Sequence, residues 1–69
     1  MNDSAVILAQ TVEQLERMNN ALIALRRDLL PKEPRQFAIL AEGPLEEIRR
    51  LRDEIEQLVA GLAGPAGPN

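Results

Sequence analysis

The stretch Gly43-Pro44-Leu45-Glu46-Glu47-Ile48-Arg49-Arg50-Leu51-Arg52-Asp53-Glu54-Ile55-Glu56-Gln57-Leu58-Val59-Ala60-Gly61-Leu62 sets its apolar residues at helical spacing. Ile48, Leu51, Ile55, Leu58 and Leu62 recur at alternating steps of three and four, which stacks their side chains on one stripe of an α-helix. Pro44 suits a first helical position, where its missing N–H is no loss, and Glu46 and Glu47 lie in a first turn, near the positive end of the helix dipole. Gly61 and then Gly64-Pro65 are expected to end the helix.

Upstream, Leu8, Val12, Leu15, Met18, Leu22, Leu25 and Leu29 form a second stripe with no interrupting proline or glycine. Their spacing predicts a first helix over residues 4–29, with Asn2, Asp3 or Ser4 supplying the cap for its free amides. At about 1.5 Å per residue such a helix is roughly 39 Å long. Pro31 and Pro34 bracket a charged turn over residues 30–34, because each proline pushes the residue before it away from helical geometry. Residues 35–42, Arg-Gln-Phe-Ala-Ile-Leu-Ala-Glu, read as a short helix or as a strand; helix is favoured because no second strand exists to pair with it. Gly43-Pro44 then marks a kink or break inside a returning arm over residues 35–61. The arms match in length, so the expected fold is an all-α antiparallel helical hairpin over residues 1–61, with a flexible Gly/Pro tail over 62–69.

A chain of 69 residues buries a smaller fraction of its surface than a larger one does, and the usual staples are missing. It has no cysteine and no histidine, which leaves no disulfide and only oxygen ligands for a metal. Self-association remains, and a dimeric four-helix bundle is the expected form. With no histidine, no cysteine, one serine and one threonine, a charge-relay nucleophile and a Glu-x-x-His di-iron site are both closed. Glu13 with Glu16, and Glu54 with Glu56, are expected on wet faces, where carboxylates solubilise a helix rather than do acid–base work. The reading is therefore of a non-enzyme with no catalytic, cofactor-binding or metal-binding residues and no cofactor.

The longest apolar runs are five residues, far below the roughly 20 that cross a bilayer, and no secretory leader is apparent. A cytoplasmic protein without a membrane role is expected. The net charge is −3 and both halves of the chain are mildly acidic. Arg49, Arg50 and Arg52 form the one basic cluster, but Glu46, Asp53, Glu54 and Glu56 stand at helical spacing to pair with them. Nucleic-acid binding by this chain alone is accordingly the alternative, as a small nucleic-acid-associated regulator.

The positive signal is apolar surface beyond what one partner helix covers. Beside its stripe the first helix carries Ala5, Val6, Ile7, Ala21, Ile23 and Ala24, so residues 21–25 are apolar almost all round. Asn19 and Asn20 interrupt that face, as a register-fixing pair across a two-fold axis or simply exposed to water. Candidate interaction residues are Leu22, Ile23, Leu25, Phe37, Ile39 and Leu40, presented to a second copy and to a protein partner.

Pro34-Arg35-Gln36-Phe37, followed by Ala41-Glu42-Gly43-Pro44-Leu45-Glu46-Glu47-Ile48-Arg49, resembles helical segments that stand beside Xre-type helix-turn-helix domains in bacterial antitoxin-like regulators. The resemblance covers about half the chain and includes no residue of a DNA-reading helix. It implies a dimerising or partner-binding hairpin, with DNA binding left to a domain this chain lacks.

Overall fold

Two prolines separate two helices. The structure, a computed structural model, describes residues 3–64, and these form α1, Asp3–Leu29, and α2, Pro34–Ala63. The Leu29 carbonyl closes α1 by accepting from the amides of Lys32 at 3.1 Å and Glu33 at 2.6 Å, while Arg26 and Arg27 stand in its last turn, where cations complement the helix dipole. Pro34 opens α2 at a position whose N–H would be unmatched anyway. The first closing bond of α2 runs from the Phe37 amide to the Glu33 carbonyl at 3.0 Å. Residues 37–40 are thus helical, and the all-α hairpin is the fold. Asn2, as a candidate cap, and the tail over 65–69 lie outside the described residues.

Of the kink or break expected at Gly43-Pro44, the break does not occur. α2 passes through Gly43 and Pro44 without interruption, and Pro44 lies inside the helix. A proline there removes the bond to the Leu40 carbonyl and strains the preceding turn. Two features offset this. Gly43 has no Cβ to press against the proline ring, which relieves the usual pre-proline clash, and the flanking residues Ala41 and Leu51, 2% and 1% exposed, hold both halves against α1. The helix also continues past Gly61 to Ala63. A Cβ at Gly61 would meet open space, so that glycine permits a stop without requiring one. The turn out of the helix comes at Gly64, whose φ of 86° is left-handed and whose amide donates to the Gly61 carbonyl at 3.2 Å.

The first arm departs from expectation at Val12. The buried residue is Thr11, 7% exposed, and Val12 is exposed. Thr11 can sit there because its hydroxyl donates to the Ile7 carbonyl one turn earlier, at 2.8 Å, leaving no unmatched polar group. With Thr11 in place the covered and half-covered row of α1 is Leu8, Thr11, Leu15, Met18, Leu22, Leu25 and Leu29, a heptad alternation of steps of three and four. The row of α2 follows the same rule through Phe37, Ala41, Pro44, Ile48, Leu51, Ile55 and Leu58. The rows are matched about the turn: Leu29 and Phe37 are equidistant in sequence from Glu33, as are Leu25 and Ala41, Met18 and Ile48, Leu15 and Leu51, and Leu8 and Leu58. An antiparallel pair folded at Glu33 therefore meets in register along its length. Heptad spacing, shorter than the natural helical period, implies a left-handed twist of the two arms.

The molecule is a rod of 54 × 21 × 14 Å with a radius of gyration of 16.1 Å, against about 11 Å for a globular chain of this length. Leu51→Ala empties the most enclosed position and is expected to cost about 2–5 kcal/mol, read by urea unfolding at fixed protein concentration. Gly61→Ala is expected to stabilise by up to about 1 kcal/mol, because alanine suits a helix interior better than glycine; a loss of stability instead would place the helix end at Gly61.

Candidate interaction surface

The seam leaves two flanks. Positions just after Thr11, Met18 and Leu25 on α1, and just after Pro44, Leu51 and Leu58 on α2, fall on one side, because antiparallel arms place equivalent heptad positions together. This first flank carries Val12, Asn19 and Arg26 from α1 and Leu45, Arg52 and Val59 from α2, with Glu16, Ile23, Arg35, Glu42, Arg49 and Glu56 farther out from the seam. The second flank, just before the alternate seam positions, carries Ile7, Gln14, Ala21 and Asp28, then Leu40, Glu47 and Glu54. Val12, Ile23, Leu45 and Val59 are all exposed on the first flank, whereas Ile7 and Leu40 are the exposed large apolar residues of the second.

The six residues singled out from sequence do not form one surface. Leu22, Leu25 and Phe37 are half-buried members of the seam, so Phe37 has the cover within the chain that its sequence neighbours did not reveal. Ile23, Ile39 and Leu40 are exposed, at 48%, 65% and 45%, but on three different sides: the first flank, the outer edge of α2 and the second flank. Asn19 and Asn20 are both exposed. Leu45 and Val59 did not stand out in sequence, where the spacing puts Val12 on the stripe itself; placing all three on this flank requires the heptad phase, and that phase runs through a threonine.

The flanks also differ in how their charges are used. On the second flank Arg50 lies between two carboxylates: its Nε donates to Glu47 Oε1 at 3.4 Å, a second nitrogen, Nη2, donates to Glu47 Oε2, and Nη1 lies 3.6 Å from Glu54 Oε1. The hydrogen bonds that the Arg50 guanidinium donates to Glu47, then the charges of Glu47 and Glu54, hold it above its ordinary pKa. Arg27 pairs with Asp28 at 3.2 Å. The other pairs expected from spacing, Arg49 with Asp53, Arg52 with Glu56 and Arg50 with Glu46, are not closed among the described residues. Exposed ion pairs gain little over the freedom of two long side chains, so spacing alone does not enforce them. Arg49 and Arg52 instead line an open groove together with Leu45, Ile48, Asp53 and Glu56.

Glu13, Glu16, Glu54 and Glu56 are exposed, and among the described residues no three carboxylates converge on a point that could hold a metal ion. Neither helix is long and apolar enough to cross a membrane. The chain matches no protein-family model, no curated protein and no solved structure.

Proposed function

We propose that the chain is a non-enzymatic interaction module that works by burying helix faces, against itself and against a protein partner, without a cofactor. The observation that carries this reading is the imbalance between one narrow seam and the apolar surface around it: among the described residues the buried ones are Thr11, Ala41 and Leu51, while ten large apolar side chains stay exposed. Full burial of an exposed Val, Leu or Ile side chain contributes about 1.5–3 kcal/mol and completing a half-finished burial contributes part of that, so a partner helix laid on either flank recovers stability that the isolated hairpin leaves unused. An antitoxin-like or other regulatory role in the cytoplasm suits such a device, because its output is the covering of a surface.

The alternative, a nucleic-acid-associated regulator using Arg49, Arg50 and Arg52, draws support from one feature, the absence of closed ion pairs at Arg49 and Arg52 among the described residues. Against it stand Asp53 and Glu56 in the same groove and a net charge of −3, which repels a phosphate backbone. The two readings separate under mutation. Replacing Arg49, Arg50 and Arg52 together by glutamine is expected to leave self-association, measured by sedimentation equilibrium, within a few-fold of wild type, while Ile23→Asp weakens it by about tenfold or more, the equivalent of about 1.4 kcal/mol. Tight binding of a nucleic-acid duplex that is lost in the triple glutamine variant, and that falls steeply between low and moderate salt, overturns the proposal.

A further inference from the structure

The proposed interaction module leaves open which face is used and what covers it. We infer that the first flank is covered by a second copy of this chain, turn beside turn, with α1 of each copy lying on α2 of the other. This rests on the self-association reading above.

Unspent charge is the first support. The first flank carries Arg26, Arg35, Arg49 and Arg52 against Glu16, Glu42 and Glu56, and none of these seven closes an ion pair among the described residues. On the second flank, by contrast, Arg50, Glu47 and Glu54 are already joined to one another, and Arg17 is left there without an unpaired carboxylate at its level to match it in a second copy. A patch that carries both signs in comparable number, unpaired among the described residues, is what a two-fold interface needs, since one surface must complement itself. The heights agree. Measured along the chain from Glu33, Arg26 stands nearly level with Glu42, Glu16 with Arg49, and Ile23 with Leu45. A two-fold axis along the rod sets each α1 member against the α2 member of the other copy, so every such contact is made twice and every neighbouring pair of helices runs antiparallel.

Shape and area are the second support. The open groove running from Leu45 to Glu56 lies on this flank, and its Leu45 end, which is nearest the level of Ile23, can receive that side chain from the second copy. Ala5, Ala9 and Ala38 on the same side let helices approach closely. The broad face measures 54 × 21 Å, which exceeds the about 800 Å² per partner of a standard stable interface.

The test uses the full chain, which has no native cysteine. Chains bearing Ile23→Cys are mixed with chains bearing Leu45→Cys under mild oxidation, and a parallel mixture pairs Gln10→Cys with Gln57→Cys on the second flank. The first mixture is expected to give a covalent heterodimer and the second none. Glu42→Arg should weaken dimerisation several-fold, and adding Arg26→Glu in the same chain should restore it, with helicity by circular dichroism unchanged in both variants. A dimer that cross-links through Gln10→Cys and Gln57→Cys, or that joins Leu45→Cys only to itself, removes the proposed face or arrangement while self-association stands. A chain that sediments as a monomer at all concentrations removes both.

Discussion

Two helices side by side can bury only one stripe of each. Everything else in this molecule follows from that constraint. A helix of the length of α1 or α2 draws its stability from packing of an apolar face rather than from propensity alone, and the seam from Leu8 to Leu29 against Phe37 to Leu58 is the packing that the chain supplies to itself. The matched spacing of the two rows about Glu33 means that no layer of the seam is out of step. It also explains why a proline is carried inside α2: Ala41, Pro44 and Ile48 occupy successive seam positions, and the contacts on either side outweigh one missing backbone bond.

The same constraint produces the surface. Val12, Leu45 and Val59 flank the seam without entering it, and Ile23 lies farther out, so their exposure follows from the geometry of a two-helix rod. The charges tell the two flanks apart. On one flank Arg50, Glu47 and Glu54 are linked to each other, whereas on the other Arg26, Arg35, Arg49 and Arg52 stand with Glu16, Glu42 and Glu56 and close no ion pair among the described residues.

The hairpin was legible in sequence because its signals were local: alternating steps of three and four, and prolines at 31 and 34. The errors came where a residue's type and its position disagree. Val12 is more apolar than Thr11, yet Thr11 is buried, because heptad phase decides and an i−4 hydrogen bond satisfies its hydroxyl. Gly43-Pro44 looks like a break, yet the glycine is what lets the proline be accommodated. Gly61 looks like a stop, yet nothing about its surroundings demands one. The interaction surface was less legible for a related reason. Ile23 was visible as an apolar residue off the stripe, but grouping it with Leu45 and Val59 requires knowing which side of α2 lies beside which side of α1, a fact of tertiary register that neither stripe contains alone.

The central claim is that one seam is too little and that a second layer of helices completes the fold. Its most direct test is thermal unfolding of the wild-type chain, followed by circular dichroism over a hundredfold range of protein concentration. A fold completed by association must melt at a temperature that rises with concentration, since unfolding then also dissociates the chains. A sharp, cooperative transition at the same temperature throughout that range would show that the hairpin is sufficient by itself, and would contradict this account.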